Sequence, residues 1–289
     1  MTFDNPVSRR DFLKFLAAGA TTLAFGSFFG FSSLLPTNQN ARSSGNPDSG
    51  VQQAAAQSTS GTFVLGPNTG KISIHAANLT NGKIFYAAGS GFSSTNENGP
   101  YLWNTFDPDT GSITNHTVGE DLFCMGQSVL PNGKVLCAGG SLRYDDVDPD
   151  GNWKGLASAY EYDPSSDSLT QVQSMKHGRW YPYCLTLDDG KVLTLGGLDE
   201  WGCNNRLAEI YDPDSKSWSI KYDPTTSETY CVGNCPDRGS IAPPGLPCYG
   251  GSGQGIVPKT IQLYPRAIFM PTGLVGIAGQ SASTRTWDP

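Results

Sequence analysis

The chain has 289 residues, and its 35 glycines, 20 prolines, 12 tyrosines and 6 tryptophans stand beside only 16% charged residues. This composition disfavours long polar helices and predicts tight turns with packed aromatic side chains. The formal net charge is −7, and a surface of this sign repels phosphate backbones, so we expect no nucleic-acid partner. The sequence contains no Walker loop, dinucleotide fingerprint or Gly-x-Ser-x-Gly elbow, which argues against nucleotide chemistry.

The chain begins with an export signal. Residues 8–14 read Ser-Arg-Arg-Asp-Phe-Leu-Lys, and an uncharged apolar stretch follows as far as residue 35. This pattern predicts a twin-arginine signal over residues 1–35 and export to the periplasm, the cell surface or the medium. An uncleaved signal acting as a membrane anchor is the alternative. Residues 36–60 are rich in Ser, Asn, Gln, Gly and Ala and are expected to form a disordered linker, with Ala54–Ala56 as a candidate cleavage site.

Residues 61–289 repeat one motif four times. Each unit has an apolar strand, a tight turn, a second strand that ends in small residues, a variable loop, and a strand that closes in Asp-Pro. The turns lie at Asn81-Gly82, Asn132-Gly133, Asp189-Gly190 and Thr272-Gly273. The first three carry the dipeptides of a type I′ hairpin, in which both central residues have positive φ. A further glycine follows each turn glycine by six or seven residues, at Gly89, Gly140, Gly197 and Gly279.

The spacing of the repeats predicts a β-propeller. The first three turn glycines are 51 and 57 residues apart, which matches kelch blades of about 50 residues. Residues 219–258 interrupt the series as an insertion rich in Pro, Gly and Cys, expected to be a long surface loop. The chain stops at Asp288-Pro289, where the other units enter a last, outer strand. We therefore expect about three and a half blades of a kelch-type propeller, an N-terminal portion of a ring that further blades or a second chain would close.

The repeat register places equivalent residues around the propeller axis. Nine residues before the four turn glycines are Ser73, Cys124, Tyr181 and Tyr264. Because the first strand of each blade lines the central channel, Cys124 and Tyr181 are expected to meet near its mouth. From register alone, a small buried cysteine and a core tyrosine remain the alternative.

The segments around these two residues resemble the copper radical oxidases, the family of galactose oxidase and glyoxal oxidase. Residues 121–126, Asp-Leu-Phe-Cys-Met-Gly, are similar to the family segment whose cysteine becomes covalently joined to tyrosine. Residues 179–182, Arg-Trp-Tyr-Pro, are similar to the segment that carries this tyrosine in glyoxal oxidases. The resemblance extends over most of residues 60–289, through Asn204, Asn205, Glu209, Tyr211 and Leu263-Tyr264-Pro265.

The resemblance implies a two-electron oxidation that uses one copper ion and a tyrosyl radical. It implies that Cys124 and Tyr181 form a thioether, that Tyr181 is both copper ligand and radical, and that a small aldehyde, alcohol or carbohydrate is oxidised by O2 with release of H2O2. Galactose oxidase shields its thioether with a tryptophan, at a position that is Asp199 here. Trp180 and Trp201 are therefore the candidates for radical shielding.

The sequence departs from the family in its copper ligands. The family adds a Tyr-His dipeptide and a later histidine, and this chain contains no Tyr-His dipeptide. Its three histidines, His75, His116 and His177, match neither position and are expected to be surface or internally satisfied side chains. The sequence thus carries half of a copper radical site.

The other cysteines and one acidic turn suggest structural roles. Cys137 and Cys184 lie in apolar strands and are expected to be buried thiols. An exported chain could form two disulfides from the remaining cysteines, in any of three pairings, with a four-cysteine zinc site as the alternative. These loop cysteines are Cys203, Cys231, Cys235 and Cys248. Residues 146–151 match the start of a calcium loop, but its twelfth position is Ala157 instead of glutamate, so an acidic turn is expected.

Two functional hypotheses follow from the sequence. The first is an exported copper radical oxidase in which Cys124 and Tyr181 form the radical pair. The second is a non-catalytic kelch propeller fragment that binds a glycan or a protein partner.

Overall fold

The computed structural model describes residues 7–8, 68, 73–91, 99–149, 151–221, 229–231, 234–235, 239–240, 248–250, 263–278 and 283–287. All of these belong to one compact unit, formed by Met1–Phe12 and Asn68–Pro289. The predicted apolar stretch, linker, cleavage site and closing Asp288-Pro289 pair lie outside the described residues. In the described part of the chain there is no helix, and hence none that could span a membrane.

The described residues form 22 strands. In chain order they are β1 (Val7–Ser8), β2 (His75–Asn78), β3 (Ile84–Gly89), β4 (Tyr101–Phe106), β5 (Ile113–Val118), β6 (Gly126–Val129), β7 (Val135–Ala138), β8 (Ser141–Arg143), β9 (Lys154–Gly155), β10 (Ala159–Asp163), β11 (Ser168–Val172), β12 (Tyr183–Thr186), β13 (Val192–Leu195), β14 (Glu209–Asp212), β15 (Ser217–Ile220), β16 (Thr229–Cys231), β17 (Asn234–Cys235), β18 (Gly239–Ser240), β19 (Cys248–Gly250), β20 (Arg266–Phe269), β21 (Val275–Ala278) and β22 (Ser283–Trp287).

Four antiparallel four-stranded sheets correspond to the four sequence repeats. Blade 1 is β2-β3-β4-β5, blade 2 is β6-β7-β10-β11, blade 3 is β12-β13-β14-β15, and blade 4 is β20-β21-β22-β1. The innermost strands β2, β6, β12 and β20 contact one another in that order. Blade 4 differs from expectation in one respect, because its outer strand is β1, which the sequence placed in the export signal. Val7 and Ser8 pair with Thr284 and Ser283.

The core lies between the faces of successive blades. Phe85 and Trp103 of blade 1 pack against Tyr162 of blade 2, and the Phe85 and Tyr162 rings stack at 4.7 Å. Similar apolar layers join blade 2 to blade 3 and blade 3 to blade 4. Each blade therefore buries both of its faces only when its neighbours are present, which fits the repeat pattern.

The hairpin turns differ from the predicted type I′ geometry. Gly82 has a φ of 83°, whereas Asn81 does not have positive φ. The Gly82 N–H donates to the Leu79 carbonyl, and the Asn81 side-chain oxygen accepts the Lys83 N–H at 3.1 Å. The turn is a three-residue loop that ends in one left-handed glycine, a geometry in which asparagine serves as a local acceptor. The turns at Gly133 and Gly190 repeat this pattern.

Two insertions have more structure than the sequence suggested. The predicted loop over residues 219–258 begins within β15 and contains two small sheets, β16-β19 and β17-β18. Between β7 and β10, blade 2 carries an extra hairpin, β8-β9. We call residues 141–155 the cover hairpin, and it lies beside the candidate site.

Candidate active site

The residues before three innermost strands share an uncommon backbone conformation. Cys124, Tyr181 and Tyr264 have φ values of 60°, 63° and 40°, in the left-handed region that few non-glycine residues adopt. The Tyr181 N–H donates to the Cys124 carbonyl at 2.9 Å, and the Tyr264 N–H donates to the Tyr181 carbonyl at 2.8 Å. A backbone ladder therefore links blades 2, 3 and 4 at the register position found in the sequence.

The structure brings the Cys124 thiol and the Tyr181 phenol together. Cys124 is fully buried, and the half-buried Tyr181 packs against the apolar cluster that contains Cys124. Burial raises the pKa of the Cys124 thiol, and its interaction with Tyr181 partly offsets this effect. Burial also raises the pKa of Tyr181, and the neighbouring thiol raises it further. Both groups are protonated at neutral pH, so this is a fully buried thiol beside a half-buried phenol.

Asp121 fixes the segment that carries Cys124. One carboxylate oxygen accepts the Ser90 N–H at 2.8 Å and the Phe123 N–H at 3.0 Å, and the other accepts the Tyr144 hydroxyl at 3.0 Å. The Ser141 hydroxyl donates to the Phe123 carbonyl. Asp121 belongs to the motif at residues 121–126, and the sequence alone predicts no role for it. The available signal was an aspartate whose side chain can accept the N–H two residues further on, as Asp121 accepts that of Phe123.

A buried ion pair supports the segment that carries Tyr181. Arg179 is fully buried, and its guanidinium donates to the carbonyls of Gly196 and Leu207 and to Glu209, at 2.7–2.8 Å. Glu209 also accepts the Lys176 N–H. These bonds tie the approach to Tyr181 to strands β13 and β14 of the same blade.

Aromatic rings surround Tyr181. The Trp180 ring meets it edge-on with centroids 4.1 Å apart, and the Tyr264 ring does so at 4.4 Å. Trp180 stacks on Trp153 of the cover hairpin at 4.5 Å and 17°. Trp201 lies half-buried in the turn after Asp199, and among the described residues its ring does not contact Tyr181. Trp153 could not be predicted from the sequence, because the insertion that carries it does not repeat in the other blades.

The three histidines have separate environments. His75 is buried, which lowers its pKa to about 4, and its Nε2 is 3.5 Å from the Tyr264 hydroxyl. His116 stacks on Trp103 at 3.9 Å and lies 3.2 Å from Asp167. The ring of His177 lies 2.8 Å from Glu200.

The described residues do not provide a complete copper site. Their His, Cys, Asp and Glu side chains form no group of three or more that could hold a metal ion. Tyr181 offers a phenol oxygen, but His75, the nearby imidazole, contacts Tyr264. Copper(II) prefers imidazole nitrogen together with oxygen. The described part of the chain thus brings Cys124 and Tyr181 together and does not fit copper by itself.

The remaining cysteines and the acidic turn have structural roles. Cys124, Cys137 and Cys184 are buried free thiols, whereas Cys203 is disulfide-bonded and so cannot serve as a zinc thiolate. The partner of Cys203 and the side chains of the other three loop cysteines lie outside the described residues. Asp148, in the predicted acidic turn, forms an ion pair with Lys154 at 2.6 Å.

Comparisons with known proteins agree with the fold and the signal. Residues 6–26 match the twin-arginine translocation pathway signal sequence, and residues 179–221 match the Kelch motif. The chain is 34% identical to a galactose oxidase of Gibberella zeae over 121 residues, which cover 41% of this chain and 16% of that protein. It is 32% identical to a WSC domain-containing protein of Arthroderma benhamiae over 126 residues, 40% of this chain and 13% of that protein.

The chain also resembles a solved structure. This is a fungal alcohol oxidase in complex with copper, 15% identical, with a TM-score of 0.40, covering 73% of this chain and 52% of that one. The chain spans less than a fifth of the curated relatives named above. The predicted twin-arginine signal and kelch-type all-β fold are confirmed.

Proposed function

We propose that this chain, which carries a Kelch motif and is 34% identical to a galactose oxidase over 121 residues, contributes the Cys–Tyr pair of an exported copper radical oxidase. The net reaction converts a primary alcohol and O2 to an aldehyde and H2O2, or an aldehyde, water and O2 to a carboxylic acid and H2O2. Cys124 and Tyr181 form the thioether, and Tyr181 is the radical and one copper ligand. The twin-arginine signal directs export, and we assign the mature chain to the periplasm, the cell surface or the medium.

One observation carries the proposal. A thiol and a phenol from two adjacent blades lie in one packed cluster, and the backbone bond between the same two residues holds them in register. Cys124 is fully buried, and Tyr181 is half-buried with the rings of Trp180 and Tyr264 packed against its own ring. An oxidised phenol needs such shielding, because bulk water admits reductants that would quench it.

The residues around the pair have definable tasks. Asp121 and Arg179 hold the two backbone segments, and Trp180 and Tyr264 limit the space around the Tyr181 ring.

Thioether formation removes one hydrogen from the Cys124 thiol and one from the Tyr181 ring. The two electrons and two protons reduce O2 to H2O2. The three described histidines do not form a group that could hold copper.

The experiment that tests the proposal is peptide mass mapping. The full chain is expressed, exposed to copper and air, digested and analysed by mass spectrometry. We expect the Cys124 and Tyr181 peptides to be joined and to be lighter by two hydrogen atoms. Tyr181→Phe should abolish the link, and Tyr264→Phe, a matched control at the next register position, should retain it. Two unlinked peptides from copper-exposed wild-type protein would refute the proposal.

The second candidate function is a non-catalytic propeller that binds a glycan or a protein. It is favoured by the missing imidazole ligands among the described residues. It predicts equal H2O2 production with and without copper, together with retained binding on a glycan array. Copper-dependent H2O2 production from an alcohol or an aldehyde would reject it.

A further inference from the structure

The cover hairpin places a second tryptophan outside Trp180. The indole rings of Trp153 and Trp180 stack nearly parallel, with centroids 4.5 Å apart, and Trp180 in turn meets the Tyr181 ring. Trp180 is buried, whereas Trp153 is half-buried and so forms the boundary with solvent. Trp153 also packs against the apolar cluster that contains Cys124.

The hairpin is fixed where it passes Trp180. The Gly155 N–H donates to the Asp199 carbonyl at 3.0 Å. A Cβ on Gly155 would lie only 2.2 Å from the Leu198 carbonyl oxygen and 2.3 Å from the Trp180 nitrogen, so only glycine permits this approach. The backbone of the cover hairpin at Gly155 is therefore in close contact with the backbone of Trp180, the residue before Tyr181.

The rest of the hairpin is tied to the segment that carries Cys124. Tyr144 contacts the Trp153 ring at 4.8 Å, and its hydroxyl donates to Asp121, which also holds the Phe123 N–H. The ion pair between Asp148 and Lys154 closes the hairpin. One carboxylate thus positions both the cover and the residue preceding the thiol.

We propose that Trp153 covers the Cys124–Tyr181 pair on its solvent side, by stacking on Trp180, which contacts the Tyr181 ring. In this chain Trp153 then has the shielding role for which Trp201 was a candidate. The protection of a Tyr181 radical by Trp153 rests on the proposed function. The packing of Trp153 over the pair does not, because it is present in the copper-free chain. Removing Trp153 opens a path to the buried thiol, while the structural framework of the blades remains.

The first test measures access to Cys124 without copper. The folded chain is treated with N-ethylmaleimide, and alkylation of each cysteine is followed by peptide mass spectrometry. We expect Trp153→Ala to raise the alkylation rate of Cys124 at least about tenfold, because a fully buried thiol reacts only through local opening. The buried thiols Cys137 and Cys184 are internal controls whose rates should not change.

Two further variants separate the cover from other effects. Trp153→Phe retains an aromatic ring and should restore most of the protection. Trp218→Ala removes another half-buried tryptophan, one that contacts Tyr211 at 5.0 Å in blade 3, and should leave the Cys124 rate unchanged. An unchanged Cys124 rate in Trp153→Ala would overturn the inference. Equal acceleration at all three thiols would also overturn it, because Trp153 would then act on global stability.

The second test concerns the oxidised pair. In protein that has formed the thioether, a soluble one-electron oxidant generates the Tyr181 radical, and its optical band is followed over time. A cover predicts faster decay in Trp153→Ala, whereas slower radical formation in this variant would identify Trp153 as an electron path and reject the cover. Absence of the thioether refutes the proposed function alone, and the alkylation result still decides whether Trp153 is a cover.

Discussion

Neutralising Glu209 should destabilise the protein through Arg179. The Arg179 side chain has no exposed area, that of Glu209 is 1% exposed, and their charged atoms are 2.7 Å apart. In Glu209→Gln the guanidinium keeps its bonds to two carbonyls but loses its counter-charge in a site without water access. Breaking a buried pair in this way costs about 3–5 kcal/mol. For a domain of this size, that free energy corresponds to a fall in Tm of roughly 6–20 °C.

The assay is urea and thermal unfolding of the purified chain, followed by tryptophan fluorescence. Lys191→Met is the matched control, because the Lys191–Asp189 pair has a 3.2 Å separation but side chains that are 41% and 50% exposed. Removing such a surface pair should cost less than about 1 kcal/mol. Replacing both Arg179 and Glu209 by methionine should cost less than Glu209→Gln, since no buried charge remains. A loss below about 1 kcal/mol for Glu209→Gln would refute the reasoning.

Three further outcomes are expected. Gly82 and Gly89 both have positive φ, but an alanine Cβ at Gly89 would lie 2.1 Å from Asp121, whereas one at Gly82 would meet no atom within 4 Å. Chemical denaturation should show that Gly82→Ala lowers the free energy of unfolding by about 1–2 kcal/mol and that Gly89→Ala lowers it clearly more. Burial lowers the pKa of His75 from 6.5 to about 4, so the unfolded chain binds more protons between these values. The free energy of unfolding should therefore fall as pH drops from 6.5 to 4, and less steeply in His75→Gln, in urea titrations across this range. Burial raises the pKa of Cys184 to about 11, so iodoacetamide at pH 8 should label Cys184 only after denaturation, and labelling of the native chain would contradict its burial.

The repeat register could be predicted from the sequence, and the surroundings of the site could not. Turn and paired glycines mark each blade, so counting back from them located Cys124, Tyr181 and Tyr264, which the backbone ladder joins. These signals are local and recur with one period. Trp153 lies in an insertion without a period, and its stacking on Trp180 depends on how two blades pack.

The turn geometry and the histidines show the same limit. Asn-Gly and Asp-Gly pairs suit both a type I′ turn and a three-residue loop, and a side-chain bond to the following N–H selects the loop here. His75 was expected to be a surface or internally satisfied side chain, and nothing in the sequence indicated that its partner would be Tyr264 of blade 4. Such contacts between distant residues leave no pattern in a single sequence.

The backbone ladder from Cys124 through Tyr181 to Tyr264 also bears on how such a site could evolve. The position of Tyr181 is set by main-chain bonds to the residues on either side of it around the axis, and main-chain groups are present whatever side chain is attached. Substitutions at these three positions can therefore replace the reactive side chains while the main-chain bonds keep the backbone positions unchanged. A single substitution at Cys124 or Tyr181 would remove the thiol–phenol pair without removing the main-chain bonds that hold the two positions together.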